Sequence, residues 1–133
     1  MYIIIVGGGK VGYYLMKSMV EAGNSVCLIE AEKNLCEKIA EEFNDMVIWG
    51  DGTSLDVLKD ANIEYADVMV AATGKDEENL VICQIAKMNY KISKTIARIN
   101  NPKNTQVFKA LGVDKTVCST EVIADLIGKT VEV

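Results

Sequence analysis

Three glycines and one acid are the residues best able to do chemistry in this chain. Gly7, Gly9 and Gly12 in VGGGKVG fit the G-x-G-x-x-G spacing, which between a strand and a helix cradles a diphosphate. Gly7 would permit the tight turn out of the strand. Gly9 would let phosphate oxygens reach the backbone with no Cβ in the way, and Gly12 would let the helix lie close to the sheet. The unsatisfied N–H groups of a helix start face such an anion, and the helix dipole adds to the attraction. The candidate phosphate site is therefore Gly7, Gly8, Gly9, Lys10, Val11 and Gly12. Glu30 ends the next apolar run, VCLI. A carboxylate there can accept hydrogen bonds from both ribose hydroxyls of an adenosine. It would also repel a 2′-phosphate, which favours NAD and adenine nucleotides over NADP. The bland alternative is a glycine turn that packs a helix and binds nothing.

Further polar groups fall at the carboxyl ends of apolar runs, where ligands of open α/β sheets bind. Asp51, in GDGT, reads either as a contact to the adenine or its ribose or, with Thr53, as a candidate helix cap. Thr73 and Gly74, in ATGKD, would line the phosphate or second-ribose side. The acids Asp76, Glu77 and Glu78 read as first-turn residues that complement a helix dipole. Arg98, in IARIN, is a lone charge in an apolar run and needs a partner, either a phosphate or an internal carboxylate. Lys10 has two readings, a contact to a terminal phosphate of ATP or ADP and a solvated lysine.

The composition narrows the chemistry. There is no histidine, which removes the commonest general base near neutral pH and the Ser-His and Cys-His nucleophile pairs. No catalytic residue is assigned. The four cysteines, Cys27, Cys36, Cys83 and Cys118, form no C-x-x-C and have no histidine to complete a zinc site, so no metal is expected. They read as reduced core thiols, with a redox sensor at Cys36 or Cys118 as the alternative. The net charge of −5, with no Lys/Arg cluster, argues against nucleic acid. No apolar run approaches the roughly 20 residues that cross a bilayer, and the N-terminus carries no basic flank or cleavage site. A cytoplasmic chain without direct membrane insertion is expected.

These residues need a scaffold, and the pattern supplies one. Apolar runs predict strands over 2–6, 25–29, 45–49, 66–72, 93–99 and 115–118. Helical periodicity predicts helices over 10–22, 33–43, 54–61, 77–88, 102–111 and 120–129. Strands one, four and five are mostly apolar rather than alternating, the mark of a parallel sheet covered on both faces. Six strand–helix units in succession give an α/β doubly wound Rossmann fold, a six-stranded parallel sheet of order 3-2-1-4-5-6 with helices on both faces. The 133 residues are expected to form one domain, 1–133. Two surfaces are candidate contacts: the paired Tyr13 and Tyr14, and the apolar side of the last helix from Val122 to Ile127. For that helix, ordinary packing on the sheet is the favoured reading.

The glycine stretch IIIVGGGKVG with Glu30 is accompanied by GDGTS at 50–54 and AATGKDEENLVICQIAK at 71–87. ARINNPKN at 97–104 and LGVDKTVCSTEVIA at 111–124 follow. Together they resemble the KTN/RCK family of TrkA-N type, the nucleotide-binding regulatory domains of potassium transport systems. The resemblance covers nearly the whole chain. It implies a regulatory subunit that binds NAD(H) or ATP/ADP and gates a membrane potassium transporter or channel, as a homodimer often stacked into an octameric ring. The matching site positions are Gly7, Gly9, Gly12, Glu30, Asp51 and Thr73, with Lys10 and Arg98 less secure. Many members carry arginine where Lys10 stands; lysine keeps the charge and loses the bidentate fork. Longer members add a C-terminal ligand domain, which is not expected within these 133 residues, so the sequence reads either as a single-domain member or as the N-terminal half of a longer one. The rival function is the cofactor-binding domain of an NAD-dependent oxidoreductase, which would need a further domain to hold its substrate.

Overall fold

The computed structural model describes residues 1–132, the Asp45 side chain apart, so Val133 of the expected domain lies outside the described residues. The strands are β1 (Tyr2–Val6), β2 (Ser25–Glu30), β3 (Val47–Trp49), β4 (Val68–Ala71), β5 (Lys94–Ile99) and β6 (Lys115–Cys118). They form one parallel sheet in the order β3-β2-β1-β4-β5-β6, the expected doubly wound arrangement. β1 is central. Ile3 pairs with Val26 on one side and Val68 on the other, and Ile3, Ile4, Ile5 and Val6 are all buried because both faces are covered there.

The helices are α1 (Lys10–Glu21), α2 (Lys33–Phe43), α3 (Leu55–Asp60), α4 (Asp76–Tyr90), α5 (Thr105–Ala110) and α6 (Ser119–Glu132). Several expected boundaries move by one to three residues, and two of the shifts have a visible local cause. The third strand starts at Val47, not at residue 45, because Asn44 closes α2 with a positive φ of 51° and a single 3-10 turn, Asn44–Met46, intervenes. The helix expected over 102–111 divides into a 3-10 turn, Pro102–Asn104, capped by the Asn101 side chain, and α5 proper.

The two faces of the sheet differ. On one face α3, α4 and α5 close a continuous core in which Leu58, Ile82, Cys83 and Phe108 pack on Ile4, Ile29, Met69, Ala97 and Ile99. Each large aliphatic side chain fully buried in this way contributes about 1.5–3 kcal/mol. On the other face α1 and α2 cover the β1–β3 half through Met16, Ile39 and Phe43. Over β4–β6 that face stays open as an apolar groove of about 530 Å³, walled by Val11, Val68, Val70, Ile96, Arg98 and Val117 among others.

The last helix corrects an expectation. Packing of α6 on the sheet was the favoured reading, yet α6 buries no residue. Val122, Ile123, Leu126 and Ile127 are 44–60% exposed. α6 leaves the end of β6, and Ser119, Val122 and Ile123 are the residues by which it lines the groove.

Candidate functional site

The glycine turn sits where β1 ends. Gly7 has φ +111°, a left-handed conformation that disfavours a side chain, and a Cβ there would lie 2.8 Å from the Ala72 carbonyl oxygen. The turn is thus pressed against the end of β4. A Cβ on Gly12 would lie 1.6 Å from the Gly7 carbonyl oxygen, so the first turn of α1 sits directly on the loop that precedes it. Gly9 is different: a Cβ there would meet nothing within 4 Å. It is exposed and open on the side from which a ligand's phosphates would approach.

The electrostatics of the helix starts separate them. The first bond within α1 runs from the Tyr13 N–H to the Gly9 carbonyl, so the N–H groups before it have no helical acceptor. No side chain caps α1 and no acid occupies its first turn. α4 carries Asp76, Glu77 and Glu78 in its first turn, so its positive end is already met by acids. Of these two helix starts beside the β1–β4 switch point, that of α1 is the one left for an external anion.

Glu30, half-buried at the last position of β2, is aimed at that start. Its Oε1 accepts the Gly8 N–H at 2.6 Å and its Oε2 the Glu32 N–H at 2.7 Å. Both oxygens are oriented by backbone, and each retains acceptor capacity for a hydroxyl. Asp51 lies at the tip of the loop after β3. Its Oδ1 accepts both the N–H and the hydroxyl of Thr53 at 2.8 Å, and those bonds hold its carboxyl below the usual carboxylate range. Neither Asp51 nor Thr53 caps α3, as the sequence had suggested. The cap is Ser54, whose hydroxyl accepts from the Val57 N–H.

Thr73 stands at the end of β4 beside the glycine turn, with its polar groups engaged internally. Its N–H and its hydroxyl both meet Asn79 Oδ1, at 3.0 and 2.7 Å. Gly74 is exposed next to it. Lys10 is exposed at the rim of a cleft of about 700 Å³ between α1 and α2, opposite Lys38, with Tyr13 and Glu42 in its wall. The Tyr13 hydroxyl donates to Glu42 Oε1 at 2.6 Å. The Val11 and Arg98 side chains do not face the glycine turn and line the open groove instead. The Arg98 Nε is buried and has no hydrogen-bond partner among the described residues, so the internal carboxylate considered for it is not found there.

The sequence pattern assigns Asn79 no role and Asp76 only that of a helix-dipole acid. Asn79 is fully buried and Asp76 nearly so, and both hold the loops after β4 and β5. A signal for Asn79 was present: it shares the i, i+3, i+4, i+7 stripe of Ile82, Cys83 and Ala86, and a polar residue on a buried stripe needs partners. All four cysteines are buried and free. Burial pushes the Cys27 thiol up to about 11 and the Cys83 thiol to about 12, and it raises Cys36 as well. Core packing therefore suits them better than redox sensing.

A parallel doubly wound sheet with an acid-free helix start at its switch point and an acid at the tip of the neighbouring strand defines a Rossmann-type nucleotide-binding fold. The family model described as TrkA-N domain matches residues 3–119. A Trk system potassium uptake protein TrkA homolog of Methanothermobacter thermautotrophicus is 42% identical over 131 residues, 98% of this chain and 60% of that protein. The chain belongs to the TrkA-N family, and it spans about three fifths of the length of that relative.

Among solved structures, the TrkA-N domain of the inner membrane protein YbaL from Escherichia coli superposes with a TM-score of 0.89 at 18% identity, covering 97% of this chain and 95% of that one. The GsuK channel bound to NAD gives 0.84 at 24% identity, covering 98% and 23%. The Shewanella denitrificans Kef CTD in its AMP-bound form gives 0.82 at 22%, covering 96% and 77%. These likenesses establish the shared fold.

Proposed function

We propose that this chain is a nucleotide-sensing regulatory domain that binds NAD(H) or ATP/ADP and acts on a membrane potassium transporter or channel from the cytoplasmic side. The observation that carries the reading is the pairing of an uncapped, acid-free α1 start with Glu30, whose two oxygens are aimed by backbone N–H groups at 2.6 and 2.7 Å. The diphosphate would rest on Gly7, Gly8, Gly9, Lys10, Val11 and Gly12, and Glu30 would take the ribose hydroxyls. Asp51 would stand by the adenosine, and Thr73 and Gly74 by the other half. Arg98 belongs to this set only if the ligand or a second copy brings an anion to the groove. The names of relatives point the same way: a potassium uptake protein, and a channel solved with NAD. The oxidoreductase reading draws on the same glycine–acid pair, and those names weigh against it. No helix among the described residues is long and apolar enough to cross a membrane.

The working unit is a homodimer. The open groove and the apolar side of α6 are both unpartnered on one molecule, and a two-fold pair of chains would cover one with the other. Dimers of this kind would be the building block of any larger ring. Regulation then follows from linkage: a nucleotide that fits one dimer geometry better than another shifts the population by that difference in binding free energy.

Calorimetry with NADH, NAD, ATP and ADP tests the reading. Micromolar binding of at least one is expected. No binding of any of them below the millimolar range overturns it.

A further inference from the structure

The β4 side of the crevice is held by two residues that touch no part of the glycine site, Asn79 and Asp76. Asn79 Oδ1 accepts the Thr73 N–H at 3.0 Å and the Thr73 hydroxyl at 2.7 Å. Its Nδ2 donates to the Thr73 carbonyl at 3.0 Å and to the Arg98 carbonyl at 2.9 Å. All four positions of a fully buried amide are used, which is what burial of such a group demands. The Asp76 carboxylate accepts from the Asn100 N–H and amide at 2.7 and 2.9 Å, from the Asn101 N–H at 3.0 Å and from the Asn104 amide at 2.8 Å. Asn100 also donates to the Thr73 carbonyl at 3.2 Å. Every polar group of Thr73 is therefore fixed from within the protein, and the Ala72–Thr73 peptide lies against Gly7.

In a doubly wound sheet the ligand crosses the switch point, here between β1 and β4. Glu30 marks the adenosine side, on β2. The half of a dinucleotide beyond the diphosphate then lies along the 73–75 loop, which a mononucleotide does not reach. We propose that Asn79 and Asp76 are positioning residues for that distal half, and that their clamp on Thr73 sets how strongly the protein prefers a dinucleotide to a mononucleotide. The proposal rests on the nucleotide-binding reading above.

The test is a titration of the protein and its variants with NAD and with AMP, together with a thermal melt of each. Thr73→Val removes the hydroxyl that Asn79 holds and keeps the side chain's shape. Asn79→Ala removes all four bonds of the Asn79 amide. With either change NAD affinity should fall on the order of tenfold while AMP affinity stays within about twofold, and Thr73→Ser, which keeps the hydroxyl, should bind NAD within about twofold of the unmodified protein. If Asn79→Ala does not fold, Thr73→Val with its Thr73→Ser control decides the question. Equal losses of NAD and AMP, or no loss of either, overturn the positioning role and leave nucleotide binding intact. An unmodified protein that binds neither ligand overturns the nucleotide reading and this proposal with it.

Discussion

The β1–β3 half of the sheet and the β4–β6 half are built to different standards. The first is covered on both faces, and its ligand groups are held by main chain: Gly7 wedged by its φ of +111°, Glu30 gripped by two backbone N–H groups. The second is covered on one face only. Its loops are held by side-chain amides and the carboxylates of Asp76 and Asp114, and its other face is the open groove. The difference separates two tasks. On the proposed reading, a rigid half would present fixed groups to the part common to all adenine nucleotides, and a less finished half would meet what varies, namely the rest of the ligand and the next subunit.

The largest expected effect tests the contrast in packing. Met16 is fully buried between α1 and the sheet, and Ile123 is 57% exposed. Met16→Ala should cost about 2–5 kcal/mol in urea unfolding, and Ile123→Ala less than about 0.5 kcal/mol at low protein concentration. Comparable losses would mean that α6 is packed within the single chain, and the contrast would fail. Ile123→Asp with Val117→Asp should leave the monomer folded and convert a dimer to monomer by light scattering, since a charge in an apolar interface is strongly disfavoured. An unchanged mass would place any dimer contact elsewhere.

Smaller effects concern the ligand. Glu30→Ala would remove the proposed ribose contact common to NAD, ATP, ADP and AMP, so all four should weaken by roughly ten- to a hundredfold. A loss confined to one of them would show that the adenosine is not seated on β2. Lys10→Ala should weaken ATP by about tenfold and NAD by about threefold or less if the ammonium meets a terminal phosphate. Equal changes would assign Lys10, at the mouth of the α1–α2 cleft, to solvent.

The two halves were not equally legible in the sequence. Strand order, the glycine turn and Glu30 could be read because they depend on local pattern: an apolar run, a spacing, a strand end. The extended run of β2 carried Glu30 to its tip without any long-range information. The β4–β6 half depends on contacts across 19 to 28 residues, as in Asn79 to Arg98 and Asp76 to Asn104, and no local pattern announces them. The direction of α6 was misread for a related reason. Its apolar stripe is the same whether it covers its own sheet or another chain, and periodicity does not name the partner. Val11 became a candidate through its place in the glycine motif and Arg98 through its place on the fifth strand, and neither argument shows that both line the open groove.

The smallest effect separates the halves by acid. Burial alone would raise the Asp76 carboxyl, but the N–H groups of Asn101 and Asn100 and the amides of Asn104 and Asn100 outweigh it and hold the group below its ordinary range. A carboxyl depressed in the folded state stabilises the fold above its unfolded value of about 3.9. That contribution fades as the pH falls from there through the folded value. Asp114, held down first by its bond to Lys87 and then by Thr95, acts in the same sense on β5. Both groups belong to the β4–β6 half, against Asp51 alone in the loop after β3, so acid should loosen the β4–β6 half the more. Asp76→Asn should melt below the unmodified protein at about pH 6, because an amide cannot accept all four bonds. It should then lose fewer degrees on going to about pH 3, because one linked proton is gone. Parallel melting curves over that range would show that the clamp does not depend on the charge of Asp76, and its four bonds would then be those of any buried acceptor.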